Sequence, residues 1–126
     1  MIPSTSPMQI ARVKAYEREL LKKPQVWIDT SHFLHAGMSV RTVMIPAGCE
    51  ITGALIKIAT LLIVSGDVSV SVSEGVSLRL EGYHSIPAEA NRKQAFLAHA
   101  DTWRTMIFPT QAATVEEAEA EFTDET

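Results

Sequence analysis

The stretch that decides the fold is Pro46–Val70, which reads PAGCEITGALIKIATLLIVSGDVSV. Glycine turns are expected near its two ends, at Gly48 and Gly66. The run TLLIV before the second glycine is continuously apolar, which is typical of a strand that is covered on both faces. After that glycine, valine and serine alternate, which is typical of a strand with one buried face. The segment therefore predicts successive strands of a β-structure.

The same β signal extends from about residue 26 to residue 109, and all six glycines lie between Gly37 and Gly82. SVRTVMI is rich in β-branched residues, and GVSLRLEG alternates between apolar and polar residues. QAFLAHADTWRTMIF predicts two more strands with a turn near Ala100 and Asp101. Several short strands at intervals of roughly 8 to 12 residues favour a β-sandwich or a β-barrel.

The two ends of the chain predict helices. In residues 1–25, Ser6 is a suitable N-cap, Pro7 suits the first helical position, and Lys22 and Lys23 are expected in the last turn. The thin apolar stripe of this helix predicts that it docks on the barrel or on a partner. The predicted organisation is a helical arm (1–25), a barrel (26–110) and an acidic C-terminal helix or tail (111–126).

In the C-terminal segment, Thr114 is the expected N-cap, and Val115, Ala118 and Phe122 recur at helical spacing. The acidic residues between Glu116 and Glu125 are interpreted as a solvated helix face.

Bulk properties exclude several classes of function. The net charge of −4 argues against a nucleic-acid partner, because binding phosphates requires a basic surface. No apolar run reaches the roughly 18 residues that a membrane span needs, and the first residues do not resemble a secretory signal. The one cysteine, Cys49, cannot form an internal disulfide, so a reducing or redox-indifferent compartment is expected. A nucleophilic role for Cys49 is disfavoured, because no histidine motif accompanies it.

The segments around the two glycine turns resemble sequence motifs of a known protein family. Pro46-Ala47-Gly48 and Gly66-Asp67-Val68-Ser69-Val70 resemble the two ends of the first motif of the cupins, and PAEANR, starting at Pro87, resembles their second motif. The resemblance covers roughly residues 36–109. It implies a mainly β fold, a cupin-type jelly-roll β-barrel flanked by a short helix at each end.

Longer segments are similar to small cupin-like proteins of tailed bacteriophages and prophages. These segments are KKPQVWID, SHFLHAGMSVRTVMIPAG, GYHSIPA, RKQAFLAHADT, TMIFPT and VEEAEAEFTDE. This resemblance implies a phage origin and a location in the virion, or in the host cytoplasm before assembly. It points to fold and origin and to no particular biochemical activity.

Cupins of the metal-dependent type use two histidines, a glutamate and a further histidine as ligands. The resemblance places these positions at Ala54, Ile56, Thr60 and Arg92. Alanine and isoleucine have no donor atom, threonine is a poor replacement for glutamate, and arginine is a permanent cation that repels a metal. No metal or other cofactor is therefore expected, and Ala54 and Ile56 are predicted to face a packed barrel interior.

Other polar residues leave alternatives open. His32 and His35 form a His-x-x-His pair in what is interpreted as a loop before a strand, a weak metal signal beside the simpler interpretation of hydrogen-bonding histidines. His99 precedes Asp101 by two residues, so the carboxylate could orient it as a general base. Together with Tyr83, His84 and Arg92, these side chains define an alternative function. That alternative is a metal-independent binder of a small molecule, such as a carbohydrate, or an isomerase-like enzyme that uses the barrel mouth.

The leading hypothesis is non-catalytic. It describes a metal-free barrel that forms a homo-oligomer, dimer or trimer, and docks on phage capsid or tail proteins as a decoration or accessory protein. Trp27, Trp103 and Phe108 are interpreted as core or interface anchors. The NRKQ cluster at 91–94 is interpreted first as a solvated loop and second as a contact for an acidic partner.

Overall fold

The protein is described by a computed structural model that covers residues 1–125. Seven strands and two helices follow one another along the chain. They are α1 (Pro7–Leu20), β1 (Asp29–His35), β2 (Met38–Ile45), β3 (Glu50–Thr52), β4 (Thr60–Ser73), β5 (Val76–Ala88), β6 (Ala95–Ala98), β7 (Thr102–Pro109) and α2 (Val115–Phe122).

All seven strands belong to one curled antiparallel sheet. The strand order is β1-β2-β7-β4-β6-β3, and β5 pairs with the other edge of β4. Because β7 and β6 return to the same edge of β4, the sheet folds over itself and encloses an interior. The turn between β2 and β3 is closed by a hydrogen bond from the Cys49 N–H to the Pro46 carbonyl, with Gly48 at φ +81°. This left-handed conformation favours glycine at that position.

Strand β4 is longer than the sequence pattern predicts, because TLLIV and DVSVSVS are one strand rather than two. Its first half pairs with β7 through Leu61–Ser65, and its second half pairs with β6 through Val68–Val70. Gly66, with φ +148°, lies at the point where the pairing changes from β7 to β6. A glycine in this conformation bends the strand without interrupting its ladder with β5.

The run TLLIV is not covered on both faces. Leu62 and Val64 are buried, whereas Leu61 is exposed and Ile63 is half-buried. The prediction of a strand buried on both sides was wrong, because β4 lies in a sheet whose outer face has no second layer. The alternation predicted for DVSVSVS is confirmed at Val68 and Val70, which are both buried.

The core has two parts. The larger is built mainly from β2, β4, β6 and the start of the chain, and Ile2 is fully buried in it through a bridge to Ala88 of β5. The smaller joins the barrel to α2: Phe122 packs edge-on against Phe108 with ring centroids 5.9 Å apart, and Ile56 and Ala118 complete the cluster.

Both terminal helices have the predicted caps. The Ser6 hydroxyl accepts a hydrogen bond from the Gln9 N–H, and the Thr114 hydroxyl accepts one from the Glu117 N–H. The first helix ends at Leu20, so Lys22 and Lys23 lie beyond the last turn and not in it. Neither helix within residues 1–125 is long and apolar enough to cross a membrane.

Candidate functional site

The positions that correspond to cupin metal ligands meet inside the barrel. Ile56 and Arg92 form a bridge in which each backbone N–H donates to the other residue's carbonyl, at 2.8 and 3.1 Å. The Arg92 side chain then turns towards β4, where its Nη2 donates to the Thr60 hydroxyl at 2.6 Å. A guanidinium–hydroxyl pair therefore joins the positions that the resemblance assigns to a histidine and a glutamate.

Neutral acceptors surround the rest of the Arg92 guanidinium. Its Nη1 donates to the carbonyls of Glu89, at 2.8 Å, and Ile58, at 3.3 Å. Burial lowers the pKa of Arg92 to about 10, so the side chain stays protonated at neutral pH. A fixed positive charge at this point repels a metal cation.

The space around the Arg92 side chain is almost filled. Ile56 is buried, Ala54 packs against the same cluster, and the remaining cavity beside them and Leu62 measures about 20 Å³. That volume is of the order of one water molecule. Ile56 is buried and Ala54 is half-buried, both also line the open cleft described below, and neither side chain has a donor atom for a metal. Among residues 1–125 there is also no cluster of three or more His, Cys, Asp or Glu side chains that could hold a metal ion.

Lys93 closes the barrel next to Arg92, which makes the interpretation of NRKQ as a solvated loop wrong. Its side chain is fully buried, and its Nζ donates to the Gly53 carbonyl at 2.9 Å. The same ammonium forms ion pairs with Glu17 of α1, at 3.2 Å, and with Glu125, at 3.0 Å. One lysine therefore ties both ends of the chain to the barrel, and only Asn91 of the four residues is exposed.

Glu125 is accordingly a structural carboxylate and not part of a solvated acidic face. It accepts hydrogen bonds from Lys93 and from the Leu55 N–H. Burial acts to raise the pKa of Glu125, but these two hydrogen bonds and the charges of Lys93 and Lys14 outweigh it and hold that pKa below its ordinary value.

Outside the filled interior lies an open cleft of about 920 Å³. It is bounded by the end of α1 and the following linker, by β2 and β3, and by α2. Val43, Ile56 and Met106 provide apolar walls, and two arginines, Arg41 of β2 and Arg104 of β7, line the cleft.

Arg104 points into the barrel and forms no ion pair with a carboxylate among residues 1–125. Its guanidinium carbon lies 4.6 Å from the centre of the Phe96 ring, a distance typical of a cation–π contact. Within residues 1–125 its Nε is buried without a hydrogen-bond partner. Burial, followed by the charges of Arg41 and Arg92, lowers the pKa of Arg104 to about 10. The charges that shift the pKa of Arg104, those of Arg41 and Arg92, are both positive.

Arg41 lies on the same inner face, one row from Arg104. Its positive charge is partly offset by the negative charge of Glu119. Its guanidinium carbon is 5.9 Å from the centre of the Phe122 ring. Burial lowers the pKa of Arg41, and the negative charge of Glu119 on α2 works in the opposite direction. The inner end of the cleft consequently contains more positive than negative charge.

The sequence contains a signal for both arginines. In SVRTVMI, Arg41 alternates with Val43 and Ile45, and in TWRTMIF, Arg104 alternates with Met106. Residues that alternate with buried residues of a strand lie on the buried face. The inner positions of the two arginines were not predicted, because arginine side chains are usually exposed.

His32 and His35 do not form a site. Both lie on strand β1 and not in a loop, and because side chains alternate along a strand, residues three apart point to opposite faces. The His32 Nε2 is 2.8 Å from the Ser39 hydroxyl, and its Nδ1 is 3.7 Å from the Glu119 carboxylate. Burial, followed by the charge of Arg41, lowers the pKa of His32, although Glu119 and Glu116 act to raise it.

The alternative catalytic residues are also separated. His99 is exposed, with its Nε2 at 2.7 Å from the Ser69 hydroxyl, while Asp101 accepts a hydrogen bond from the Ala47 N–H. Asp101 therefore does not orient His99. His84 hydrogen-bonds the carbonyl of Glu81, and Tyr83 is exposed. None of these side chains lines the cleft, and neither does Arg92.

The outer face of the sheet carries an apolar row that crosses five strands. In this row Phe33 of β1 pairs with Val40 of β2, Val40 with Ile107 of β7, Ile107 with Leu61 of β4, and Leu61 with Pro87 of β5. A second row, four residues along the strands, contains Met44, Trp103 and Tyr83, and the row of Thr42 and Thr105 lies between the two. We refer to the two rows as the outer apolar face; its members are Phe33, Val40, Met44, Leu61, Tyr83, Pro87, Trp103 and Ile107.

Side chains of the outer apolar face are accessible. Phe33 and Trp103 are each 50% exposed, and Leu61 is 39% exposed. Phe108 lies on the other side of β7 and is buried, which confirms its predicted place in the core. Trp27 is exposed in the linker between α1 and β1.

Solved structures share this architecture at low sequence identity. Ectoine synthase from P. lautus is 16% identical over 83% of this chain and 82% of its own, with a TM-score of 0.57. An uncharacterized conserved protein with a double-stranded β-helix domain from Klebsiella pneumoniae is 15% identical over 76% of this chain and 84% of its own, with a TM-score of 0.56. A cupin-2 domain containing protein from Shewanella frigidimarina is 11% identical over 75% and 91% of the two chains, with a TM-score of 0.51.

No protein-family profile matches the chain, and no curated protein matches it significantly. The structural likeness therefore establishes the fold alone. It is a mainly β, cupin-type jelly roll with two short helices, as the glycine-turn frame predicts.

Proposed function

We propose that this is a non-catalytic, metal-free cupin-fold protein of a tailed phage that acts by self-association and by docking on a larger assembly. The observation that carries the proposal is the outer apolar face. An open antiparallel sheet ordinarily presents polar residues to solvent. Here its surface contains a continuous row of apolar side chains, anchored by Phe33 and Leu61.

The expected occupant of this face is a second copy of the chain. The row runs across five strands, so two sheets could stack face to face about a two-fold axis with apolar residues on both sides. Trp103 is positioned to act as an anchor, because large aromatic side chains contribute disproportionately to the energy of protein interfaces.

Docking on capsid or tail proteins is proposed from the resemblance of the quoted segments to phage cupin-like proteins. The loss of donors at Ala54 and Ile56 supports it, because the barrel retains its frame without the usual chemistry. We expect the protein in virions in a fixed stoichiometry. Mass spectrometry of purified particles from the parent phage tests this, and absence of the protein from those particles would contradict docking while leaving self-association open.

Self-association is tested by light scattering coupled to size-exclusion chromatography. We expect an oligomer for the native chain and a monomer for Leu61→Glu and Trp103→Glu. The matched control is Val76→Glu, which places the same charge at an exposed apolar residue in the β4–β5 hairpin, outside the outer apolar face. A monomeric native chain, or dissociation by all three variants alike, would contradict the proposal.

A second candidate function is metal-independent binding of a small molecule, and the cleft of about 920 Å³ favours it. Clefts of this size and mixed lining are typical of small-molecule sites. Arg92, His84 and His99 do not converge and do not line the cleft. The side chains that would bind the ligand are therefore those that line it. Ile28→Trp, at a half-buried linker position that lines the cleft, would narrow it, and we expect loss of binding of a small aromatic probe with retained folding.

A further inference from the structure

The inner end of the cleft contains positive charge that no ion pair within residues 1–125 neutralises. Arg104 has no ion pair within residues 1–125, and the charges that act on it belong to Arg41 and Arg92. By contrast, the buried Lys93 has two carboxylate partners. Arg104 is half-buried at the wall of an open cleft, so its positive charge is available to an anion that enters the cleft.

The Arg104 side chain is also held in a defined position. Its guanidinium lies against the Phe96 ring, and the Gly53 position leaves room for it, since a Cβ added there would stand 3.4 Å from Nη1. A planar guanidinium in a fixed position binds carboxylate or phosphate oxygens through paired N–H groups. Val26, Ile28 and Ile51 line the same cleft with exposed or half-buried apolar side chains, which offer surface for the rest of a ligand.

We propose that the cleft binds a small organic anion whose carboxylate or phosphate group is received by Arg104, with Arg41 beside it and an apolar body against Val26, Ile28 and Ile51. This inference rests on small-molecule binding in the cleft, the second candidate function, and adds the class of ligand. The carboxylates that line the cleft form no ion pair with Arg104 within residues 1–125: Glu17 and Glu125 pair with Lys93, Glu119 lies by His32, and Glu50 pairs with neither arginine.

The test is calorimetric titration of the full chain with three probes that share one ring: benzoate, phenyl phosphate and benzyl alcohol. We expect at least one anion to bind about tenfold or more tightly than the neutral alcohol, since charged hydrogen bonds account for a difference of that order. The better of the two anions identifies the head group as carboxylate or phosphate.

Arg104→Gln removes the charge while keeping a polar side chain, and we expect it to weaken anion binding by about tenfold or more. Arg41→Gln should weaken it less, and it serves as the second variant if Arg104→Gln does not fold. The matched control is Arg12→Gln, the same change at an exposed arginine of α1, which should leave the affinity unchanged.

Two results would overturn the inference, and they are distinguishable. Equal affinity for benzyl alcohol and for the anions would show that the cleft binds small molecules without charge selection. Absence of binding by all three probes up to about 10 mM would reject both the anion and the small-molecule function. Neither result bears on self-association through the outer apolar face.

Discussion

Arg92 donates a hydrogen bond of 2.6 Å to the Thr60 hydroxyl across the inside of the barrel. These two positions correspond to ligands of one metal ion in metal-dependent cupins, by the resemblance of the surrounding motifs. Their contact shows that the two side chains that occupy these positions form a buried polar pair. The pair contributes to stability, since it satisfies a buried guanidinium that has no carboxylate partner.

Breaking this pair should destabilise the barrel. Thr60→Val keeps the shape of the side chain and removes the acceptor, so one guanidinium N–H becomes unpaired in the interior. We expect a loss of about 1–3 kcal/mol in the free energy of unfolding, measured by urea denaturation. Combined with Arg92→Met in a double-mutant cycle, the two changes should be clearly non-additive.

The control is Thr105→Val, which removes the 2.8 Å contact between Thr105 and Thr42 hydroxyls in the half-buried middle of the outer sheet face. Its cost should be smaller, because water can replace that partner. Equal losses for the two threonine variants would show that the Thr60 contact has no special structural role.

Substitution of Lys93 should lower the free energy of unfolding more than substitution of any other charged residue. Lys93→Met leaves the carboxylates of Glu17 and Glu125 without their shared cation, and removing one member of a buried ion pair costs about 3–5 kcal/mol. Because these carboxylates are about one-third exposed, we expect the lower end of that range in thermal or urea unfolding. Hydrogen exchange should also increase in α1 and near Glu125.

Lys57→Met provides the comparison, since Lys57 pairs with the exposed Asp124 at 2.8 Å. A solvent-exposed ion pair contributes about 0–1 kcal/mol. If both lysine variants cost the same, Lys93 does not hold the ends of the chain to the barrel.

The frame of the fold could be predicted because its signals are local. The turn of Pro46–Cys49 needs glycine at one position, and the alternation of Val68 with Val70 depends only on neighbouring residues. A glycine is also a poor marker of where a strand ends, because Gly66 and Gly82 face each other within a continuous ladder.

The polar interior could not be predicted in the same way. Lys93 is separated by 76 residues from Glu17 and by 32 from Glu125, so no sequence pattern connects them. The inner positions of Arg41 and Arg104 follow from strand alternation once the strands are known. Their shared cleft, however, depends on how α1 and α2 pack over the sheet.

His32 should make stability pH-dependent near neutrality. Because its pKa is lowered by burial and by Arg41, the unfolded state binds more protons than the folded state below about pH 6.5. Its contribution to stability is therefore fully present above that pH and is lost as the pH falls towards the folded-state pKa. Groups that face it are Arg41 and Ser39 of β2 and Glu116 and Glu119 of α2.

Melting temperatures measured from pH 8 to pH 5 test this expectation. His32→Gln should flatten the decline, while His35→Gln, at an exposed position of the same strand, should leave it unchanged. A decline that persists in His32→Gln would assign the effect to other groups.

Gly66 should tolerate no side chain. A Cβ at this position would stand 2.7 Å from the Asp101 carbonyl oxygen and 2.5 Å from the Thr102 hydroxyl, at the point where β4 passes from β7 to β6. Because the carbonyl belongs to the backbone, the strands themselves must move. We expect Gly66→Ala to lower the free energy of unfolding by about 3 kcal/mol or more, within the range of severe single substitutions.

Gly82→Ala is the matched control, since Gly82 also has a positive φ but a Cβ there meets no atom within 4 Å. It should cost about 1–2 kcal/mol from backbone strain alone. Equal costs in urea denaturation would show that conformation at Gly66, and not the close approach of β7, determines the requirement for glycine.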